Sequence, residues 1–233
     1  MENMLEAINL SKKYDEQLAL ADLSLTVAPG EVYCLLGQNG AGKTTTINLF
    51  LGLIKPTGGK ALINGVEVNS AGNTRSMIAY IPEVVQLYGN MNGIENLEFF
   101  SKLAGFNHTK KELVSLLHKV GLKAEAHTKR LSSYSKGMRQ KVGIAIALSK
   151  NAQVIFMDEP TSGLDPKATD EFTTICKELA QEEKSIFMAT HDIFNAVNVG
   201  TTIGIMKEGR LVYSTGTSNV SANELQELYL KSI

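Results

Sequence analysis

Apolar and polar residues alternate with a period of two in several short stretches of the N-terminal third of the chain. Such alternation is typical of a β-strand that turns one face to a core. Turn-forming residues at 12–17 and 56–59 separate the stretches, and Pro82 ends the last one. We therefore predict strands at 4–10, 18–27, 60–68 and 77–81, with a short apolar strand at 32–36 that leads into a glycine-rich loop.

The middle of the chain changes to the helical period, in which apolar residues recur three or four positions apart. The C-terminal part alternates between short apolar strands and helices. Predicted helices lie at 45–52, 93–104, 110–120, 136–149, 166–182, 192–199 and 221–230. Predicted strands of the C-terminal part lie at 154–157, 185–189, 202–207 and 210–215. Because strands and helices alternate at both ends of the chain, we expect an α/β fold in which helices cover a parallel sheet.

Length and composition are those of an ordinary globular protein. The chain has 233 residues, of which 43% are hydrophobic and 20% charged, and the net charge of −1 argues against a nucleic-acid partner. The distant Cys34 and Cys176 are expected to be reduced, buried thiols in a reducing compartment. The start at Met1–Met4 does not show the basic and apolar regions of a signal peptide, and no apolar run approaches the roughly 20 residues of a membrane span. We expect a cytoplasmic protein that a partner can still hold at a membrane.

The glycine-rich loop at 37–44 has the sequence Gly-Gln-Asn-Gly-Ala-Gly-Lys-Thr and lies between a predicted strand and a predicted helix. Its glycines allow backbone N–H groups to converge on phosphate oxygens, and the helix N-terminus adds its positive end. Lys43 can reach the β- and γ-phosphates, and the hydroxyl of Thr44 can ligate Mg²⁺. The predicted ATP-binding residues of this segment are Gly37, Gln38, Asn39, Gly40, Ala41, Gly42, Lys43, Thr44 and Thr45.

A second chemical signal follows the apolar strand at 154–157, where two carboxylates stand in succession. Asp158 can hold the Mg²⁺ shell. Glu159 points elsewhere, and it can polarise the attacking water as a general base. Acidic residues at a strand end are common, but this pair follows a phosphate loop by about 110 residues. We therefore predict a Mg²⁺-dependent ATPase with Lys43 and Glu159 as catalytic residues.

Residues 158–165, with the sequence Asp-Glu-Pro-Thr-Ser-Gly-Leu-Asp, resemble the second nucleotide motif and D-loop of ATP-binding-cassette (ABC) ATPases. Residues 135–140, Ser-Lys-Gly-Met-Arg-Gln, resemble the family signature that opens a helix. Tyr14 lies where the family has its adenine-stacking aromatic residue. His191 follows a predicted strand and matches the catalytic switch histidine. The resemblance covers nearly the whole chain in the right order.

The resemblance implies one nucleotide-binding domain over residues 1–233 with the fold of a P-loop NTPase. A RecA-like parallel-sheet core would occupy about 1–83 and 150–233, with an N-terminal antiparallel β-subdomain. An α-helical subdomain would be inserted at about 84–149.

The resemblance also implies a twofold head-to-tail dimer that holds two ATP molecules between its protomers. The hydroxyl of Ser135 and the N–H of Gly137 on one protomer would face the γ-phosphate of the ATP bound to the other. The chain carries every motif that a homodimer needs.

The sequence departs from the family pattern at two places. The signature has Tyr-Ser-Lys-Gly-Met at 134–138 in place of Leu-Ser-Gly-Gly-Gln, so Lys136 adds a positive charge and must avoid backbone conformations reserved for glycine. The retained serine and second glycine should keep their phosphate contacts. Glu83 replaces a glutamine that contacts Mg²⁺, and a carboxylate remains a suitable ligand. Because Asp158 and Glu159 are also acidic, we expect Glu83 to make ATPase activity more dependent on Mg²⁺.

Together these departures resemble the exporter-type ABC-2 branch. That branch includes ATPases for drug and antimicrobial-peptide efflux, sodium extrusion and maturation of the copper site of nitrous-oxide reductase. The implied partner is a membrane-spanning permease, which would hold the chain peripherally on the inner face of the cell membrane. We expect docking around residues 83–100, with apolar contacts from Leu87, Tyr88, Met91, Phe99 and Phe100.

One other class remains open, an ABC ATPase without a membrane partner, such as an iron–sulfur assembly ATPase of comparable length. A third class, a P-loop kinase of a small molecule, fails to explain residues 134–140, 158–165 and 191 together.

Overall fold

A computed structural model describes residues 3–69 and 72–232, which form ten strands and seven α-helices. The strands are β1 (Leu5–Tyr14), β2 (Gln17–Val27), β3 (Val32–Leu36), β4 (Gly58–Ile63), β5 (Val66–Glu67), β6 (Ile78–Ile81), β7 (Val154–Asp158), β8 (Ser185–Thr190), β9 (Thr202–Lys207) and β10 (Arg210–Gly216). The helices are α1 (Lys43–Phe50), α2 (Gly93–Leu103), α3 (Lys110–Lys119), α4 (Lys136–Ser149), α5 (Pro166–Gln181), α6 (Ile193–Val199) and α7 (Ala222–Ser232).

The first sheet is antiparallel and has the strand order β2-β1-β4-β5. The second sheet has the order β10-β9-β3-β8-β7-β6, and its neighbours are parallel except for the β9–β10 pair. The predicted α/β class, with a mostly parallel core sheet and an N-terminal antiparallel sheet, is confirmed.

One predicted turn and one predicted strand differ from the structure. Strand β1 continues to Tyr14, which pairs with Gln17, so the reversal is shorter than the predicted turn at 12–17. The predicted single strand at 60–68 is wrong, because a turn at Asn64 and Gly65 divides it into β4 and β5. Both turn residues have positive φ (49° and 72°), as a tight Asn-Gly hairpin turn requires.

The central strands β3, β7 and β8 are apolar along almost their whole length because helices or strands cover both faces of their sheet. Their side chains alternate between two clusters. Cys34, Ile155 and Met188 face the cluster built with α4, α5 and α6. Phe156 and Phe187 face the cluster shared with α1 and the antiparallel sheet.

Three helices, α2, α3 and α4, follow one another between β6 and β7 and pack together. Capping boxes open α2 at Asn92 and α3 at Thr109, with Glu95 and Glu112 as the reciprocal partners. The side chain of Ser135 accepts a hydrogen bond from the backbone at the start of α4. These local caps fix the helix starts at the predicted positions 93, 110 and 136.

Both cysteines are free and buried, as predicted. Burial raises the pKa of the Cys34 thiol to about 12 and also raises the pKa of Cys176. Within the part of the chain that the structure describes, no helix is long and apolar enough to cross a bilayer.

Phe156 provides a test of how far core packing supports the strand that ends in Asp158. Its unexposed ring lies 5.7 Å from that of Phe50 and 5.8 Å from that of Phe187, between ring centroids. We expect Phe156→Ala to lower the free energy of unfolding by about 3–5 kcal/mol. Phe156→Leu, the control, should cost clearly less because it preserves most of the buried volume. Chemical denaturation measures both, and a loss below about 1 kcal/mol for the alanine variant would contradict this packing role.

Candidate functional site

The glycine-rich loop connects β3 to α1, and its backbone needs glycine at specific positions. A Cβ on Gly37 would lie 2.8 Å from the carbonyl oxygen of Met206, and one on Gly42 would lie 2.7 Å from that of Ala19. Gly40 has open space around it but a φ of 84°. Side chains at the first two positions would clash, and one at the third would strain the backbone.

Lys43 is only 5% exposed and turns its amine back across the loop. Its Nζ donates to the carbonyl oxygens of Gly37 (2.6 Å) and Gln38 (3.2 Å) and lies 3.5 Å from Oε1 of Glu159. The neighbouring Thr44 hydroxyl donates to Oδ2 of Asp158 at 2.9 Å. The loop therefore meets both carboxylates predicted from the strand at 154–157.

The two adjacent carboxylates diverge because Glu159 leaves the strand in a left-handed conformation with φ 45°. This conformation is uncommon for a residue other than glycine and indicates local strain at a candidate site. Its Oε2 accepts from Nδ1 of His191 at 2.8 Å and from the Thr190 hydroxyl at 3.3 Å. Its Oε1 is buried and has no hydrogen-bond partner among the described residues, and the 3.5 Å approach of Lys43 is an ion-pair contact only.

The surroundings of Asp158 raise the pKa of its carboxyl above the ordinary value. Burial is the largest cause, and the charges of Glu159 and Glu83 act in the same direction. The hydroxyl of Thr44 and the charge of Lys43 oppose the shift. A bound cation would favour the ionised carboxylate, which is the form that ligates Mg²⁺.

Glu83 follows β6 and reaches the same cleft as Thr44 and Asp158. Its Oε1 accepts a hydrogen bond from the hydroxyl of Ser162 at 3.0 Å. One hydroxyl and two carboxylates therefore line one cleft, and oxygen donors of this kind suit Mg²⁺. The three predicted metal ligands fit such an ion chemically.

The cleft has a volume of about 570 Å³. Tyr14 lies at its edge, 43% exposed, and the Nζ of Lys12 lies 4.9 Å from the centre of its ring. Gly37 and Ala41 are buried behind the loop. The residues that line the cleft are Tyr14, Gln17, Leu18, Ala19, Gln38, Asn39, Gly40, Gly42, Lys43, Thr44, Thr45, Glu83, Asp158, Glu159 and Glu208.

The signature residues Ser135 and Gly137 lie elsewhere, in a groove of about 160 Å³ between α4 and α5. Ser135 is the N-cap of α4 and accepts from the backbone N–H of Met138 at 3.3 Å. A Cβ on Gly137 would lie 3.2 Å from that of Ala168, so glycine allows α5 to approach closely. Lys136 occupies the first helical position, which any residue can adopt.

Several residues of the site were not predicted from the sequence. Four of them line the cleft, namely Gln17, Leu18, Ala19 and Glu208. Two others are Ser162 and Thr190, whose hydroxyls bond to Glu83 and Glu159. Ser162 stands inside a motif that was noticed, and Thr190 directly precedes His191. Nothing in the sequence marks the cleft-lining residues of β2 as functional except that they follow Tyr14 closely.

A strand, a glycine loop with a lysine, a helix and an Asp-Glu pair at a neighbouring strand end define a P-loop nucleotide hydrolase. The profile of the ABC transporter family matches residues 20–162. The chain belongs to the ABC transporter family. Within that family it is an ATP-hydrolysing, nucleotide-binding subunit.

Comparisons with individual proteins agree with this assignment. The chain is 36% identical over 222 residues to the bacitracin transport ATP-binding protein BcrA of Enterococcus faecalis, which covers 94% of this chain and 71% of the relative. It is 30% identical over 212 residues to the linearmycin resistance ATP-binding protein LnrL of Bacillus subtilis, covering 90% and 68%. A dimeric ATP-binding cassette, solved in a post-hydrolysis state with ADP and Pi, superposes with a TM-score of 0.80 at 26% identity, covering 92% of this chain and 99% of that one.

Replacing Glu83 tests its electrostatic effect on the cleft. Glu83→Gln removes a negative charge that faces Asp158, so ATP should bind about three- to tenfold more tightly in EDTA, as for a charge interaction of roughly 1 kcal/mol. The concentration of Mg²⁺ that gives half-maximal ATPase activity should change as well. Isothermal titration in EDTA and in Mg²⁺, with activity titrations, measures these effects.

Glu125→Gln is the matched control, since it removes the same charge from an exposed residue that does not line this cleft. It should leave both quantities unchanged. If Glu83→Gln behaves like this control, Glu83 does not make the site dependent on Mg²⁺.

Proposed function

We propose that this chain binds Mg-ATP between two copies of itself, arranged head to tail, and that hydrolysis drives export through a membrane-spanning partner. One observation carries the proposal. Side chains from three separate loops, those of Lys43, Glu159 and His191, form one connected polar group beside the cleft. The comparison with a cassette dimer supports the two-copy arrangement.

Each predicted nucleotide contact has a place in this proposal. Lys43 binds the β- and γ-phosphates, exchanging its loop carbonyl partners for phosphate oxygens. Thr44, Asp158 and Glu83 hold Mg²⁺, which supplies charge neutralisation at the phosphates when bound. Tyr14 offers its exposed ring to the adenine. The cleft volume of about 570 Å³ is in the usual range for a small-molecule site.

Glu159 acts as the general base, and its carboxylate accepts a proton from the attacking water. His191 and Thr190 hold Oε2 of this carboxylate in place, and Oε1 has no hydrogen-bond partner among the described residues. His191 therefore fixes the orientation of the base. Lys43, at 3.5 Å, stabilises the carboxylate before phosphate arrives.

The position of the signature supports a shared site. Ser135 and Gly137 line a groove separate from the cleft that holds the phosphate loop. Their hydroxyl and N–H groups at the start of α4 form a site suited to phosphate. In the proposed dimer they bind the γ-phosphate of the ATP held by the partner copy.

The single domain over 1–233, with its helical subdomain at about 84–149, would dock on the permease through an apolar surface. Tyr88, Phe99 and Phe100 form an aromatic cluster, in which the ring centres of Tyr88 and Phe99 lie 5.1 Å apart. Tyr88 and Phe99 remain exposed, as does Val84. Leu87 packs partly against the core and Met91 is half-buried, so both contribute less to this surface. Docking would hold the chain on the cytoplasmic face of the cell membrane.

Export of an antibiotic-like compound is the transport activity that the relatives support, since they are named for bacitracin transport and linearmycin resistance. The exporter-type resemblance of Glu83 and of residues 134–138 points in the same direction. No observation favours an iron–sulfur assembly ATPase without a membrane partner.

Glu159→Gln tests both the base and the dimer. The amide cannot accept the proton, so kcat should fall by about 10²–10⁴-fold while ATP binding persists. The uncleaved ATP should then hold two copies together. Light scattering with and without ATP measures the mass, and a variant that stays monomeric in ATP would count against the shared site.

Lys43→Ala in the Glu159→Gln background is the control for ATP-driven assembly. It removes the buried amine that faces the phosphates, so neither ATP binding nor dimer formation should occur. Dimers that form equally well in this double variant would show that assembly does not depend on the phosphate loop.

The exposed aromatic surface can be tested by co-purification from the membranes of cells that produce the protein. We expect a polytopic membrane protein to co-purify with the chain. The Tyr88→Ser/Phe99→Ser variant should retain little of this membrane protein, because the apolar contact area disappears. The ATPase activity of the free subunit should be retained. Leu53→Ser/Leu230→Ser, with two even more exposed apolar residues outside this surface, is the control. Recovery of soluble partners alone would contradict the transport proposal.

A further inference from the structure

Two side chains of α4 hold the loop that follows Glu159. Lys136 and Gln140 stand four positions apart, so they share one face of the helix. Nζ of Lys136 donates to the carbonyl oxygen of Ser162, and Nε2 of Gln140 donates to that of Pro160 at 2.9 Å. We call residues 159–165, between β7 and α5, the linker loop. Its backbone is thus held by the start of the signature helix.

The linker loop is also tied to the nucleotide cleft, through the side chain of the same serine. The Ser162 hydroxyl donates to Oε1 of Glu83 at 3.0 Å. Lys136, Ser162 and Glu83 therefore form a continuous chain of hydrogen bonds that runs from α4 to the cleft. Both ends of this chain are positions where the sequence departs from the family pattern.

We propose that Lys136 is a positioning residue that holds Ser162 and, through Ser162, sets the orientation of Glu83. The two departures from the pattern then form one unit, in which the lysine supports the carboxylate. This inference rests on the proposed function, in which Glu83 faces bound Mg-ATP. The contact between Lys136 and the linker loop lies within a single chain.

Two backbone turns within the linker loop make it move as one unit with the Ser162 carbonyl that Lys136 holds. The N–H of Ser162 donates to the carbonyl of Glu159, and the N–H of Leu164 donates to that of Thr161, both at 3.1 Å. Gly163 between them has a φ of 68°, which favours glycine. A side chain that holds the Ser162 carbonyl therefore fixes a tight double turn.

In the proposed dimer this unit joins two different ATP sites. The N-terminus of α4 serves the nucleotide of the partner copy, whereas Glu83 serves the nucleotide of its own chain. Loss of the Lys136 contact should therefore weaken the cooperativity between the two ATP sites. The Hill coefficient for ATP should fall towards 1.

The competing role for Lys136 is a direct contact with the phosphate of the partner's ATP. A phosphate ligand would raise KM for ATP and weaken ATP-driven dimerisation when it is lost. A positioning residue would instead lower kcat with KM nearly unchanged.

Hydrogen–deuterium exchange of the nucleotide-free protein tests the contact without any activity assay. We compare the wild type with Lys136→Met, which keeps side-chain length, and Lys136→Arg, which keeps the charge and a donor. The amides of Ser162 and Leu164 should exchange about fivefold faster or more in the methionine variant. Arginine should restore most of the protection.

Lys141→Met is the matched control on the same helix. Nζ of Lys141 bonds to the carbonyl of Gly121 and to Glu171, and not to the linker loop. It should leave exchange of Ser162 and Leu164 at the wild-type rate. Equal exchange in the Lys136→Met variant and the wild type would overturn the proposal.

A double-mutant cycle then tests the connection to Glu83. Lys136→Met should lower kcat about three- to tenfold with KM for ATP within twofold, and it should shift the half-activating Mg²⁺ concentration in the same direction as Glu83→Gln. The double variant should show little more than the larger single effect, because both changes break one connected unit. Fold changes that multiply, or a Lys136→Met effect confined to KM, would overturn the proposal.

Failure of this proposal can be told apart from failure of the proposed function. If Glu159→Gln never dimerises in ATP, the proposed shared site is wrong. The exchange measurement, made without nucleotide, still tests the positioning role of Lys136 independently. If Glu159→Gln dimerises and Lys136→Met leaves exchange unchanged, the function survives and Lys136 loses its positioning role.

Discussion

The whole site depends on the parallel register of three buried strands. In this register Leu36 of β3 lies beside Thr190 of β8, and Asp158 of β7 lies beside Ala189. The glycine loop, the Asp-Glu pair and His191 therefore leave the sheet at the same edge, although the loop is more than 100 residues away from the other two in the chain. A slip of one residue would turn every side chain of a strand to the opposite face and move Asp158 away from Thr44. The apolar side chains on both faces of the sheet prevent that slip.

This register brings the charged side chains of Lys43, Asp158 and Glu159 together at the end of the sheet. Burying such charges without partners is unfavourable. Lys43 is buried, Asp158 has a raised pKa, and one oxygen of Glu159 has no hydrogen-bond partner among the described residues. The left-handed backbone at Glu159 adds strain. The buried charges become favourable when phosphate and a divalent cation neutralise them. Burial of the two apolar clusters supplies the stability that offsets both the charges and the strain.

The sequence predicted the regular elements well because periodicity and caps are local properties. The phosphate loop and the Asp-Glu pair are also local motifs. Once the parallel sheet was inferred, their proximity in space could be predicted. The Asn64–Gly65 turn was equally local and was overlooked. The bonds from Ser162 to Glu83 and to Lys136 could not be predicted, because they join residues 79 and 26 positions apart. They depend on β6 lying next to β7 and on the path of the loop after Glu159, which no periodic pattern encodes.

The choice of glutamate at position 83 has a chemical consequence that glutamine would not share. An ionised carboxylate accepts hydrogen bonds or binds a cation at both oxygens, whereas an amide offers one oxygen only. Oε1 of Glu83 already accepts from Ser162, so Oε2 remains available to Mg²⁺. A glutamine would have to divide one oxygen between the two partners or bond to the serine through its NH₂ group. With glutamate, a cation could bind Oε2 while Ser162 stays bonded to Oε1, so the linker loop would remain connected to the nucleotide site in the proposed function.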